Sequence, residues 1–244
     1  MEPTLFCRSA LCGKEFERRR LNCPHCDAPG VTMLYRYRPI NNYFWQMLET
    51  QKMFSPKASD LNDPFEFAFH WAEKAIGGQP LIPAEVARAH DDMKQMRVLC
   101  FSEFNDSILM WSHYADSHRG VCLGFERNSD PDNGLGSYDV SLPVVYRDDN
   151  ALQSFRPLEL DHKATSKILT TKSLSWSYEK EWRMISRPNA PEMDYPAPLR
   201  EVIFGVWTTN DDQRRIKNML GNSVCYFKAT KSEFYYTLNI ERIE

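Results

Sequence analysis

Two glutamates separated by one residue, Glu179 and Glu181, stand directly before an apolar segment that starts at Trp182. If the chain is extended there, side chains two residues apart lie on one face of a sheet. Two carboxylates on one face suit cationic chemistry, because one can stabilise an oxocarbenium-like transition state while the other orients a nucleophile or sugar hydroxyls. A solvated Glu-Lys-Glu charge pattern is the alternative interpretation.

Residues 110–120 concentrate further side chains with acid–base character: His113, Tyr114, Asp116, His118 and Arg119. We expect His113 and Asp116 to lie on one helix face at i, i+3, where they would form an acid–base pair or part of a ligand set. A histidine beside Trp and Tyr is equally well explained as a packing residue, and both interpretations stay open.

Four cysteines crowd the first 26 residues as a Cys-x4-Cys pair, Cys7 and Cys12, and a Cys-x2-Cys pair, Cys23 and Cys26. A short hairpin between the pairs would point four thiolates at one centre, and Zn²⁺ takes such ligands tetrahedrally. The pattern predicts a structural zinc that supplies the folding free energy of this segment, with unliganded cysteines as the alternative. Three arginines at 18–20 near the hairpin tip could bind nucleic-acid phosphates or a protein surface, with a solvated turn as the alternative.

The composition of the 244-residue chain, with 42% hydrophobic and 26% charged residues, excludes a disordered chain, a collagen-like repeat and a long coiled coil. A formal net charge of -3 gives no whole-chain indication of a polyanionic partner. Because the sequence has neither an apolar run of 18 residues nor a secretory pattern at its start, we expect a cytoplasmic protein without a membrane segment. A disulfide framework is not expected there.

The chain changes character after Pro29-Gly30, where we place a boundary between a cysteine-rich, zinc-knuckle-like module, residues 1–30, and a larger domain, residues 31–244. Short helices are predicted over 41–51, 108–115 and 211–220. Strands are predicted over 33–38, 52–55, 98–102, 120–125, 144–146, 182–185, 201–206, 225–227 and 237–240. Since long helices do not alternate regularly with strands, we expect an α+β fold with short helices and a mixed, mostly antiparallel sheet.

Seven blocks follow one another along the chain: a Tyr-Arg-Tyr strand, FSPKASDLNDPFE, CFSE, MWSHYADSHRGVCLGFE, a Val-x-Tyr strand, TKSLSWSYEKEWRMIS and REVIFG. In this order they resemble a widespread bacterial family, number 2971 among the domains of unknown function. The resemblance covers residues 33–205 and implies no established reaction. The cysteine-rich module lies outside the pattern and looks like an addition to it.

The order of the blocks also resembles the core of arginine-class mono-ADP-ribosyltransferases, which place Arg on a first strand, Ser on a second and Glu-x-Glu before a later one. This resemblance implies NAD as substrate, with Arg36 or Arg38 pairing with its phosphates and Ser55 supporting the nicotinamide-ribose pocket. Glu181 would hydrogen-bond the ribose 2′-hydroxyl and stabilise the oxocarbenium ion, and Glu179 would orient the acceptor nucleophile. Pro56 follows Ser55, so the Ser-Thr-Ser signature of that class is absent.

Four further residues complete the candidate site implied by this resemblance. Tyr114 or Trp176 would stack on nicotinamide or on an acceptor base, Asn62 would contact the cofactor, and His113 would take part in catalysis. The first functional hypothesis is therefore an NAD-consuming toxin or anti-phage effector. Its acceptor would be a nucleic acid or a protein, and an antitoxin or regulatory partner would restrain it.

Two other hypotheses stay open at this point. The Asn-Asp-Pro stretch is a turn signal, but its carboxylates also allow a metal-dependent hydrolase or nuclease that uses Asp63, Glu66, His113 and Asp116. In the third hypothesis the protein is a non-enzymatic module that binds nucleic acid or protein through the cysteine-rich segment. The charged motifs would then only hold a polar core together.

Overall fold

A computed structural model of the chain describes residues 4–7, 15–17, 30–68, 70–71, 84–128, 130, 132–136, 141–147, 154–155, 167–186, 189 and 191–244. Cys12, Cys23 and Cys26 lie outside these residues, and only the backbone of Cys7 is described. The zinc site, the arginine-bearing hairpin tip and the domain boundary at residue 30 therefore stay predictions.

Short helices and many strands make up the described part of the chain. Helices span Asn42–Thr50 (α1), Ala84–Gln95 (α2), Ile108–Tyr114 (α3) and Asn210–Leu220 (α4), and 3-10 helices span Ala58–Asp60 and Leu174–Glu179. The strands are Thr4–Cys7 (β1), Glu15–Glu17 (β2), Gly30–Val31 (β3), Met33–Arg38 (β4), Lys52–Phe54 (β5), His70–Trp71 (β6), Arg97–Ser102 (β7), Val121–Glu126 (β8), Ser141–Pro143 (β9), Val145–Arg147 (β10), Ser154–Phe155 (β11), Thr171–Ser173 (β12), Glu181–Ser186 (β13), Glu192–Asp194 (β14), Leu199–Phe204 (β15), Cys225–Lys231 (β16) and Leu238–Ile243 (β17).

An eight-stranded sheet in the order β17-β16-β15-β8-β4-β7-β13-β9 forms the centre of the fold. All neighbours in this sheet pair antiparallel except β15 and β16, which are parallel. The predicted α+β class with a mixed, mostly antiparallel sheet is confirmed. The smaller sheets of the described residues join β2-β1-β3, β10-β12, β11-β6 and β14-β5.

The central sheet consists of two parts that meet at one residue pair. β4 pairs with β8 over its whole length, and β13 pairs with β7 over its whole length, whereas β4 and β7 pair only at Tyr35 and Ser102. Beyond that pair, the side of β4 that carries Arg36 separates from the side of β7 that carries Cys100. The Arg36 Nη1 donates to the Cys100 carbonyl at 2.9 Å and bridges the gap. A cavity therefore opens inside the sheet.

Both faces of the sheet are covered by apolar packing. On β8, Leu123 and Phe125 pack into a cluster with Phe44 of α1, whereas Cys122 faces a second cluster that contains Trp111 of α3. All four side chains named from β8 and α1 are fully buried. A strand buried on both faces is expected to be continuously apolar, which is the pattern that the sequence has at 121–125.

Side-chain caps fix where the helices near the site begin. The Asn41 side chain accepts from the Phe44 N–H at 3.0 Å, as predicted for the N-cap of α1, and Ser107 caps α3 in the same way. α3 ends at Tyr114, and Asp116 has a left-handed φ of 48°. The prediction that His113 and Asp116 share a helix face is wrong, because the helix stops before Asp116.

None of the helices in the described residues combines the length and the apolar character needed to cross a lipid bilayer.

Gly120 lies where β8 begins, with no room for a side chain. A Cβ at this position would lie 2.2 Å from the Arg38 carbonyl oxygen and 3.0 Å from that of Ala115. We expect Gly120→Ala to lower the free energy of unfolding by about 2–3 kcal/mol, at the upper end of the cost of overpacking. Ser112→Ala is the matched control, because Ser112 is exposed on α3 and the loss of its hydroxyl should change the free energy of unfolding by less than about 0.5 kcal/mol. Urea unfolding compares the two, and equal losses would contradict the close approach.

Candidate functional site

The gap between β4 and β7 contains a cavity of about 180 Å³. Its walls come from both of these strands, from α3, from the loop before residue 66, and from the segment around Glu179. The predicted site residues that line it are Arg36, Arg38, Asn62, Tyr114, Glu179 and Glu181. These residues are distant in sequence, and the split in the sheet is what brings them together.

Glu179 and Glu181 both line the cavity, but the backbone between them is not extended as expected. Glu179 ends the 3-10 helix, Lys180 adopts a left-handed φ of 44°, and Glu181 opens β13. The Ser102 Oγ donates to the Glu179 carbonyl at 2.6 Å, and the Glu181 N–H donates to the Tyr146 Oη at 2.8 Å. The expectation of an extended Glu-x-Glu segment is wrong, but the turn at Lys180 still leaves both carboxylates at the same cavity.

Both carboxylates belong to a buried group of charges, which we call the carboxylate network and which consists of Glu66, Lys172, Glu179, Glu181 and Arg183. The Lys172 Nζ lies 2.6 Å from Glu179 Oε2 and 3.2 Å from Glu181 Oε2. Arg183 binds Glu181 through Nε at 2.8 Å and Nη2 at 3.0 Å, and its Nη1 lies 2.5 Å from Glu66 Oε1. Three carboxylates face two cations, so the network carries one net negative charge when all are ionised.

The two candidate glutamates differ in their acidity because their partners differ. Burial raises the pKa of Glu181, but Arg183 and Lys172 outweigh burial and hold this pKa at about 2. Burial also raises the pKa of Glu179, and Lys172 offsets this effect only in part, so this pKa stays above its usual value. The pair therefore separates into one carboxylate whose pKa lies below its usual value and one whose pKa lies above it.

A hydrogen-bonded relay reaches Glu179 from the loop that contains Asn62. The Asn62 Nδ2 donates to the Tyr114 Oη at 2.7 Å, and the Tyr114 hydroxyl donates to Glu179 Oε1 at 2.5 Å. Burial and the Glu179 carboxylate raise the pKa of Tyr114, so the phenol stays protonated. Glu179 accepts from Tyr114 and Lys172 but has about four acceptor positions, which leaves capacity for a ligand.

Arg36 and Arg38 bring positive charge to the same cavity without an acidic partner among the described residues. Burial and the neighbouring Arg38 lower the pKa of Arg36, and burial alone lowers the pKa of Arg38. The Arg38 Nε is buried and has no hydrogen-bond partner. Because a buried charge is costly unless it is paired, two such guanidiniums side by side indicate a site for an anion.

A second cavity, of about 550 Å³, adjoins the first at the same two arginines. Arg36 and Arg38 line both cavities, and the second is otherwise enclosed by α1 and β5 with the side chains Tyr43, Gln46, Met47, Thr50, Lys52, Met53 and Phe54, together with Glu192. The two cavities thus form a path with carboxylates at one end and arginines at its middle.

Three other predicted site residues do not line the first cavity. Ser55 is buried beside Pro56, which does line it, and the Ser55 Oγ has no hydrogen-bond partner. The Trp176 ring lies 4.6 Å from the Lys172 Nζ and so covers the carboxylate network from outside. His113 is exposed, with its ring centroid 6.3 Å from that of Tyr114.

The residues of the metal-dependent hypothesis have separate structural partners. Asp63 accepts from the Phe65 N–H at 2.9 Å in a turn, Glu66 pairs with Arg183, and Asp116 is exposed. Across the described residues, no three His, Cys, Asp or Glu side chains come together as a metal site. Asp63, Glu66, His113 and Asp116 therefore do not form a ligand set.

No role was predicted from the sequence for Lys172 or Arg183, although both make ion pairs with the site glutamates. Arg183 follows Glu181 by two residues in a strand, so the same-face rule for strands could have found that pair. Lys172 lies on β12, which pairs with β10 and not with β13. Its position between the two carboxylates has no local signal in the sequence.

Replacing Lys172 by methionine tests how far one cation holds the carboxylate network together. Burial alone would lower the pKa of Lys172, but Glu181 and Glu179 outweigh burial and raise it, so its stabilising charge is fully present at pH 7. We expect Lys172→Met to lower the free energy of unfolding by about 3 kcal/mol, because two buried carboxylates lose their shared cation. Adding Glu179→Gln should restore part of this loss, because one buried negative charge is removed.

Urea unfolding at pH 7 measures these differences. Lys167→Met is the matched control, because Lys167 is exposed and its loss should change the free energy of unfolding by less than about 0.5 kcal/mol. If Lys172→Met and the control unfolded at the same urea concentration, the cation would not hold the network.

Comparisons with known proteins agree with one of the two resemblances and leave the other as a proposal. No curated protein and no solved structure matches the chain significantly. A family model matches residues 110–184, the part of the chain that carries Tyr114, Lys172, Glu179 and Glu181. Over these residues the chain is similar to the family described as protein of unknown function (DUF2971), which confirms the resemblance drawn from the sequence blocks.

Proposed function

We propose that the chain is an NAD-consuming, ADP-ribosyltransferase-like enzyme that transfers ADP-ribose to a nucleic-acid or protein acceptor. The observation that carries this proposal is the separation of charge along the cavity. One end presents the buried carboxylates Glu179 and Glu181, and the other presents Arg36 and Arg38 without an acidic partner among the described residues.

NAD has the matching distribution of charge and size. Its nicotinamide ring is cationic, and its diphosphate is anionic and lies between two nucleosides. The nicotinamide-ribose end would occupy the cavity of about 180 Å³, and the adenosine end would occupy the cavity of about 550 Å³. The diphosphate would then lie at Arg36 and Arg38, where both cavities meet and where charge-assisted hydrogen bonds to phosphate are strongest.

The proposed reaction breaks the bond between the nicotinamide nitrogen and the ribose C1′, and both electrons of that bond pass to nicotinamide. The ribose becomes an oxocarbenium ion, which the ionised Glu181 stabilises. The acceptor nucleophile then bonds to C1′, and its proton passes to Glu179, whose raised pKa suits it to accept one. Tyr114 holds Glu179 in place through its hydroxyl.

Glu181→Gln tests the electrostatic role directly. We expect nicotinamide release from NAD, measured by chromatography with the full chain, to fall by at least about 100-fold, because the oxocarbenium ion loses its anion. Glu126→Gln is the control, because Glu126 makes an ion pair with Arg200 at the partly exposed surface, at 2.7 Å. Its rate should stay at the parental value.

Folding must be checked separately, because Glu181 also pairs with Arg183. Circular dichroism and the urea midpoint identify any unfolding of the Glu181→Gln variant. Glu179→Gln gives a second measurement, since it should lower transfer to an acceptor more than it lowers nicotinamide release to water. A folded Glu181→Gln variant that released nicotinamide at the parental rate would overturn the proposed role.

Arg38→Met separates a ligand-binding role from a structural one. Arg38 is half-buried, and its buried Nε has no hydrogen-bond partner, so replacing it by methionine should leave the free energy of unfolding unchanged or higher. The affinity for NAD, measured by isothermal titration calorimetry, should fall at least about tenfold, which corresponds to about 1.4 kcal/mol. A destabilised variant with parental affinity would show that Arg38 serves the fold instead.

A further inference from the structure

A third cavity, of about 530 Å³, lies where the loop between β16 and β17 faces the turn after β15. We call it the aromatic groove, and the side chains on which its properties depend are His118, Trp207, Lys231, Phe234, Tyr235 and Tyr236. The described residues of the first two cavities include none of these side chains.

Three consecutive aromatic side chains in this loop face solvent. Phe234 is 84% exposed, Tyr235 is 76% exposed and Tyr236 is 100% exposed. The loop is nevertheless held in shape, because the Ser232 Oγ accepts from the N–H groups of Phe234 at 3.3 Å and Tyr235 at 3.2 Å. A clustered, ordered display of aromatic rings indicates a binding surface, because isolated surface rings need no such arrangement.

Positive charge accompanies the rings of the groove. Lys231 lines it, and the Arg119 guanidinium lies 6.0 Å from the ring centroid of Trp207. Glu233 also lines the groove and offsets the charge of Lys231, so Arg119, which lies beside the groove at Trp207, supplies the remaining positive charge. Trp207 also meets the His118 ring edge-on at 5.5 Å, which fixes its orientation at the wall of the groove.

We propose that the aromatic groove binds single-stranded nucleic acid. Aromatic side chains bind unpaired bases by stacking, and neighbouring Lys and Arg side chains bind the phosphates that connect them. The groove extends from the loop to Trp207, so a single strand can contact the rings and Lys231 together. A duplex keeps its bases stacked on one another and offers no free ring face to Tyr235 or Tyr236.

This site goes beyond the proposed NAD chemistry and does not require it. α3 separates the two places, since Ile108 at its start lines the groove while Met110 and Tyr114 line the carboxylate cavity. A strand bound in the groove would therefore lie one helix away from Glu179. Binding is measured without NAD, so failure of either proposal can be recognised independently of the other.

The test measures fluorescence anisotropy of a labelled 12-nucleotide oligo-uridine and of a labelled 12-nucleotide oligo-thymidine with the full chain. We expect Tyr235→Ala and Tyr236→Ala each to weaken binding by about five- to 100-fold, the loss of one stacked base. Lys231→Met should reduce the slope of log affinity against log salt by about 0.7. Photo-crosslinking of a 4-thiouridine oligomer should label the peptide that contains residues 234–236.

Phe65→Ala is the matched control, because Phe65 is a 64% exposed aromatic residue that lines none of the three cavities. Its affinity for the oligomers should stay at the parental value. The proposal is overturned if the groove variants bind like this control, if a duplex of the same length binds equally well, or if the oligomers do not bind. Binding of phosphatidylcholine–phosphatidylserine vesicles that is lost in Tyr236→Ala, without oligomer binding, would assign the groove to a membrane surface instead.

Discussion

The candidate site depends on a single constraint, the pairing of β4 with β7 at Tyr35 and Ser102 alone. This single residue pair connects the two parts of the sheet. Beyond it β4 and β7 no longer pair, and the space between them forms the cavity. At this junction the Ser102 Oγ also donates a hydrogen bond to the Glu179 carbonyl. In the register of the sheet, Ser102 also lies opposite Glu181. The residue that ends the ladder therefore also positions both candidate carboxylates.

Opening a sheet exposes polar backbone groups and creates cavity surface, both of which lower stability. Arg36 compensates for part of this loss by donating to the Cys100 carbonyl, a group that a continued ladder would have satisfied. The carboxylate network compensates for another part, since its opposite charges lie 2.5–3.2 Å apart, although both Glu66 carboxylate oxygens lack a hydrogen-bond partner. Arg38 is different, because it lines the cavity with a buried Nε that has no hydrogen-bond partner.

Patterns that depend on neighbouring residues were predictable, and contacts between distant segments were not. The strand at Met33–Arg38, the Asn41 cap of α1 and the mostly antiparallel sheet follow from alternation, capping and the absence of regular helix–strand alternation. The grouping of Arg36, Tyr114 and Glu179 was anticipated through the order of sequence blocks, although periodicity alone gives no distances between them. The role of Lys172 was not predicted, because its contacts depend on how β12 packs against the Glu-x-Glu turn. The left-handed turn at Lys180 was not predicted because lysine, unlike glycine, asparagine and aspartate, does not usually mark such a conformation.

The buried carboxylates of the cavity are paired with cations, whereas its arginines have no acidic partner among the described residues. This difference constrains which ligands the cavity can bind. Its anions are paired with cations to within one charge, so they hold their positions with or without a ligand. Its two arginines have no acidic partner in the described residues, so they gain most from a ligand that is anionic at that point. A uniformly anionic ligand would meet the Glu179 and Glu181 carboxylates at the other end, and a uniformly cationic ligand would meet the arginines. We therefore expect the whole path to favour a molecule with a cationic end and an anionic middle, the charge distribution that distinguishes the proposed dinucleotide from a mononucleotide or a simple phosphate ester.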